Sequence, residues 1–292
     1  MFNCLKPSAF LSAVIVSIGV SALFQGCNSG SDSANTGSPS GVSQSASNVV
    51  GPPGAPPISA SRAYSTDVMV FNGAGAWQDE VTSLESILTT NGATYREVNS
   101  ADLDAMSVDD IAKFGLLIFP GGAGGTEAAG ISVATHANLR EAVQVRGVSY
   151  LGFCAGAFIA VAPAPAAGQD VSYGVGVVAG PVLGYYTLEN QGVTIAMTLE
   201  SFPDGSTRDL IWYGGPVTPN TPNGVIAKYP TGDPAISEMW SGKGFVILSG
   251  PHPAAPQSTR DAFGLVDTDG LDFTLAWQLI SAALNQTILP TF

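Results

Sequence analysis

The sequence predicts an α/β domain with a mostly parallel sheet, helices on both faces, and antiparallel additions in its C-terminal half. Three observations carry this expectation. Strand-like and helix-like segments alternate through residue 162. The strand segments are continuous apolar runs, such as GLLIFP (115–120) and VSYLGF (148–153), which suits strands covered on both faces. From 171 to 250 the pattern changes to short strands separated by Gly and Pro turns.

The domain is expected to begin near Asp67. DVMVF (67–71) reads as a buried strand that ends in Asn72-Gly73-Ala74-Gly75. From Asp79 to Thr90, Val81, Leu84, Ile87 and Leu88 recur at helical spacing. Residues 94–98 make a second strand and 115–120 a third, which opens onto five residues, Gly121-Gly122-Ala123-Gly124-Gly125. A helix near 138–146 leads into the fourth strand, 148–153, and AGAFIAVA after Cys154 reads as helical. GVTIAMTL, LIWYGG and GFVILSG supply later strands, and a helix over 271–285 closes the domain.

The chain has 292 residues, enough for a leader and one globular domain. Its net charge of −13 argues against nucleic-acid binding, which needs a basic face to displace counterions. Residues 1–26 read as a targeting segment. Lys6 is their only charge, and the apolar run from Phe10 to Phe24 is too short to span a bilayer. The run ends in Phe24-Gln25-Gly26-Cys27, like a bacterial lipobox whose cysteine is lipidated and becomes the new N-terminus. The expectation is therefore an exported lipoprotein of a bacterial envelope, facing the periplasm and held to the membrane through Cys27. Ordinary signal cleavage and an uncleaved anchor are the alternatives. Residues 27–66, rich in Ser, Gly and Pro, read as a disordered tether, and 67–292 as the domain.

Of three cysteines, Cys4 and Cys27 lie at the N-terminus, so the domain keeps only Cys154 and no internal disulfide. Gly152-Phe153-Cys154-Ala155-Gly156 is a G-x-C-x-G turn between a strand and a helix. Such an elbow holds a nucleophile in strained backbone geometry, where side chains two residues away would collide. It also sets sulfur beside a helix start, where thiolate is favoured. A buried structural cysteine is the plain alternative.

A cysteine nucleophile needs a base, and the chain has two histidines. His252, in GPHP after the strand 244–249, emerges at the same sheet edge as Cys154 if the two strands run parallel. His136, in THANLR, reads as a surface histidine. Gly121 and Gly122, with the N–H of Ala155, are the expected oxyanion hole. GGAGGTEAAG lacks the Gly-Lys-Ser/Thr ending of a phosphate loop, and Gln78 stands where a dinucleotide fingerprint needs its third glycine. No cofactor and no metal are expected.

FNGAGA (71–76), FPGG (119–122), LGFCAGAF (151–158), WYGGP (212–216) and GPHP (250–253) resemble, in order, the class I glutamine amidotransferase-like superfamily. They are most similar to the domain at the N-terminus of fungal-type biotin-protein ligases. The resemblance implies a flavodoxin-like three-layer sandwich, with Cys154 as nucleophile and His252 as base. The family pattern continues His-Pro-Glu, the Glu orienting the imidazole, whereas this chain has His252-Pro253-Ala254. Asp209, Glu200 and Glu238, or a backbone carbonyl or water, are the candidates to replace it. No synthetase or ligase segment follows to accept ammonia, so hydrolysis of an amide or peptide bond is expected. A binding module that kept the elbow after losing its acid is the opposing expectation.

Overall fold

The computed structural model describes residues 51–54 and 62–292. The expected leader, Cys27 and most of the tether lie outside them. No helix of the described residues is long and apolar enough to cross a membrane. The chain joins the domain before Asp67: Arg62 donates to the carbonyls of Gly115, Gly147 and Leu284 at 2.7, 2.8 and 2.6 Å.

The first half alternates as expected: β1 (Thr66–Phe71), α1 (Gln78–Thr90), β2 (Tyr95–Val98), α2 (Ser100–Asp104), α3 (Val108–Ile111), β3 (Phe114–Phe119), α4 (Gly124–Ala129), α5 (Val133–Gln144), β4 (Ser149–Phe153) and α6 (Ala155–Ala160). Then come β5 (Val161–Ala162), β6 (Val178–Ala179), α7 (Thr187–Asn190), β7 (Ala196–Ser201), β8 (Thr207–Trp212), β9 (Val225–Lys228), β10 (Pro234–Ser241), β11 (Gly244–Ser249), α8 (Gln257–Phe263) and α9 (Phe273–Asn285). The main sheet has the order β2-β1-β3-β4-β11-β10-β9-β7-β8. Its first five strands are parallel, in flavodoxin-like order, and the remaining pairings are antiparallel.

The apolar runs follow from this arrangement. Successive side chains of one strand enter opposite cores. Val68, Leu116 and Phe153 pack with Leu84 of α1 and Leu279 of α9. Met69, Leu117 and Tyr150 pack with Leu139 of α5 and Ile159 of α6. With both faces covered, every position of β3, β4 and β11 is buried, which leaves these strands no polar alternation.

Several elements differ from the sequence reading. The helix expected near 138–146 starts at Val133, because Ser132 caps it by accepting from the Thr135 N–H at 3.2 Å. AGAFIAVA is helical only to Ala160: Val161 turns extended and pairs with Val178 in a small second sheet. Strands β9 and β10 fall in a stretch the apolar runs left unassigned. The parallel register sets Ser249 beside Phe153, so the chain leaves β4 and β11 at one edge, Cys154 next to the segment that bears His252.

Candidate active site

Cys154 forms the turn between β4 and α6 with φ 44° and ψ −97°, a region strained for a residue with a side chain. Its surroundings fix it there. The Cys154 N–H donates to Ser249 O at 2.8 Å, and the Gly156 N–H donates to Pro120 O at 3.1 Å. A Cβ on Gly152 would lie 2.5 Å from the Gly156 backbone, and one on Gly156 would lie 2.1 Å from Phe119 O. The G-x-C-x-G spacing is thus a steric requirement of this turn. The thiol is the one free cysteine of the described residues. It lies at the base of a cleft, 5% exposed, with Sγ 3.4 Å from the Tyr213 carbonyl.

His252 follows β11 and is anchored by its N–H, which donates to Ile211 O at 2.8 Å. The ring is buried, with the edge of Trp77 against it at 5.2 Å between centroids. Nδ1 lies 3.0 Å from Glu80 Oε1, and the other oxygen of that carboxylate accepts the Gly121 N–H at 2.5 Å. Glu80, from α1, thus holds the imidazole by Nδ1, where Ala254 offers no side-chain acceptor. Asp209, Glu200 and Glu238 are engaged elsewhere. Asp209 accepts from Thr268, Glu200 from Thr198 at 2.5 Å, and Glu238 from the Leu289 N–H at 3.1 Å. His136 is buried against expectation. Its Nδ1 pairs with Asp170 at 2.9 Å and its Nε2 with Ala128 O at 3.0 Å, which gives it a structural place outside the site.

Burial alone would lower the His252 pKa. The negative charge of Glu80, then that of the Cys154 sulfur, outweighs it and pushes the value up to about 10. Nε2 makes no hydrogen bond of ordinary alignment, so the sulfur acts on the ring by charge and proximity more than through a formed bond. A second carboxyl, Glu127, is buried beside Glu80 with both oxygens unpartnered. Burial, reinforced by the Glu80 charge, raises it to about 8.

The expected oxyanion hole needs one correction. The Gly121 N–H is committed to Glu80 and is no free donor. The absence of a side chain at Gly121 has another use: a Cβ there would lie 2.3 Å from His252 Cε1 and 2.9 Å from Glu80 Oε2. Gly122, at φ 149°, and Ala155 line the cleft with Cys154, and among the described residues neither N–H is given to an acceptor. Away from the cleft, Asp209, Asp267 and Asp269 each bring a carboxylate oxygen within 4.8 Å of the others.

Residues 66–186 match the family model described as biotin-protein ligase, N terminal. The fold is a flavodoxin-like three-layer α/β sandwich with a mostly parallel sheet. The matched stretch includes Glu80, Gly121, Gly122 and Cys154 and ends before His252. No curated protein matches the chain in sequence. Among solved structures, a protein described as a GMP synthase component from Thermoplasma acidophilum is 14% identical, covering 75% of this chain and 98% of that one, with a TM-score of 0.39. A cytoplasmic protein from Salmonella typhimurium LT2 is 10% identical, with 74% and 99% covered and a TM-score of 0.46. A β-galactosidase from the Antarctic haloarchaeon Halorubrum lacusprofundi is 12% identical, with 77% and 31% covered and a TM-score of 0.41. Likenesses this distant say nothing about activity.

Proposed function

We propose that the amidotransferase-like domain is a cysteine-dependent hydrolase of an amide or peptide bond. Cys154 is its nucleophile, His252 its base, and Glu80 the carboxylate that orients the imidazole. The observation that carries the reading is the bridge made by Glu80, which grips Nδ1 of His252 and the Gly121 N–H together. That grip leaves Nε2 for the sulfur. An imidazole with a pKa near 10 favours imidazolium opposite thiolate, the reactive form of cysteine.

In this mechanism Sγ gives its proton to Nε2 and attacks the carbonyl carbon. The carbonyl π pair moves to oxygen, which the N–H groups of Gly122 and Ala155 bind. Collapse breaks the C–N bond, and the departing amine takes the proton from Nε2. Water then attacks the thioester, passing a proton through Nε2 to the sulfur as the carboxylic acid leaves. The opposing reading, a binding module without chemistry, drew its force from Ala254, and with Glu80 on Nδ1 that reason falls away.

The test is thiol-dependent hydrolysis of a peptide and amide library, compared between wild type, Cys154→Ala and His252→Ala. Both variants should lose activity. Full activity in His252→Ala would remove His252 as the base, and a wild type that hydrolyses nothing would leave the binding-module reading as the better one. We also propose that the domain works outside the cytoplasm, tethered to a membrane through Cys27. The apolar leader and the lipobox-like Gly26-Cys27 support this.

A further inference from the structure

The cleft over Cys154 has a volume of about 450 Å³ and a marked chemical bias. Its walls carry four aromatic rings, Phe158, Tyr173, Tyr185 and Tyr213, and one carboxylate, Glu189. Among the described residues no Lys, Arg or His lines it. Glu189, on α7, is exposed and makes no salt bridge or hydrogen bond through its side chain among the described residues. Its Oε2 lies 4.0 Å from where a Gly214 Cβ would be, next to Tyr213.

The aromatic wall is held in place before any ligand arrives. Tyr185 pairs with Pro216 in an isolated bridge, and the Val217 N–H donates to Gly184 O at 2.9 Å. The Tyr185 ring packs on Phe158 with 4.8 Å between centroids. Ring faces carry negative electrostatic potential, and they attract a cation most where water is partly excluded. A free carboxylate at the rim adds to that attraction, and an overall charge of −13 draws cations toward the molecule. A substrate carboxylate, such as the α-carboxylate of a free amino acid, would find no basic side chain here.

We propose that this cleft selects amides that carry a positive charge close to the scissile bond, an ammonium or a guanidinium held between the tyrosine rings and Glu189. The proposal rests on the hydrolase reading for the word substrate. The charge selectivity itself belongs to the cleft and is measurable without turnover.

Two reagents of similar size test it: a trimethylammonium-ethyl and a sulfonato-ethyl methanethiosulfonate. Each converts the Cys154 thiolate to a mixed disulfide and releases methanesulfinate. Rates are read on the Cys154 peptide of the full chain by mass spectrometry and divided by the rates for the urea-unfolded chain. The cationic reagent should be favoured by about tenfold after this normalisation, the scale of one cation–π contact plus one partly screened charge. Glu189→Gln should reduce the preference, and Glu189→Lys should reverse it. Since Glu189 is exposed, these variants keep the fold. A normalised ratio near one, a ratio unchanged in Glu189→Lys, or failure of both reagents to reach the sulfur overturns the proposal. A chain that keeps the preference yet cleaves neither lysine p-nitroanilide nor any other amide loses only the hydrolase reading. A chain that cleaves anionic and cationic amides equally well, with no reagent preference, loses only this one.

Discussion

Glu80 Oε1 lies 3.0 Å from His252 Nδ1 although 172 residues separate them in the chain. The same carboxylate takes the Gly121 N–H, so α1, the loop after β3 and the segment after β11 meet at one side chain. Each of the three carries a different part of the proposed chemistry, and the carboxylate sets their spacing.

Glu80→Gln should therefore act on the site more than on the fold. The substitution keeps the shape and removes the charge that favours imidazolium. In a related triad, loss of the orienting carboxylate costs about 10⁴ in rate, and a drop of about 10²–10⁴ is expected here. The His252 ring, followed by NMR, should titrate below its wild-type value. Wild-type rate and wild-type titration in this variant would remove Glu80 from the mechanism.

Two glycines should respond differently to the same added methyl group. In Gly121→Ala the new carbon meets an imidazole and a carboxylate, both of which can shift, so activity should fall while the protein stays folded. In Gly156→Ala it meets the Phe119 carbonyl at 2.1 Å, where only backbone can yield. That variant should lose on the order of 3 kcal/mol or more, at the upper end of overpacking costs. Denaturant titration with activity measured in parallel separates the two.

The elbow and the parallel sheet were legible in the sequence because both are local signals. G-x-C-x-G fixes its own geometry, and apolar runs such as 115–120 record burial on two faces. Glu80 was not found, since no local rule joins a helix residue to a loop so far along the chain. A signal was nevertheless present. Glu80, Leu84, Ile87 and Leu88 fall at i, i+4, i+7 and i+8, so the carboxylate sits on the apolar stripe of α1, where a charge needs a partner. Asp209, Glu200 and Glu238 lie on strands near His252 in sequence, but β7 and β8 stand at the far edge of the sheet and all three carboxylates are engaged elsewhere.

Stability should fall as pH rises from 5 to 9. Burial raises Glu200 from 4.5 to about 9 and Glu127 from 4.5 to about 8, so the folded state holds protons that the unfolded chain releases. Their stabilisation is complete below about pH 4.5 and is lost as pH climbs through the folded values. His252, raised from 6.5 to about 10, acts in the same direction over its own interval. Thermal melts across this range should show a falling midpoint. Glu200→Gln, remote from the cysteine, should flatten the slope, and an unchanged slope would mean that Glu200 is already ionised in the folded protein.

Metabolic labelling with a lipid precursor should tag the wild-type chain, and Cys27→Ser should abolish the tag. Soluble, untagged wild-type protein outside the cell would indicate ordinary secretion instead.

The insertion of β11 between β4 and β10 has a consequence for timing. The elbow is complete in sequence by Gly156, yet the strand that brings its histidine begins only at Gly244, after the whole antiparallel extension. A chain emerging N-terminus first presents its thiol long before its imidazole, and pairings between such distant segments are among the slowest to form. Until that last strand slots in, the sulfur lacks the base proposed for it and Glu80 has no ring to hold. On the proposed mechanism a stalled or truncated chain is left with an unarmed cysteine, and reactivity is expected only once synthesis has passed the closing strand.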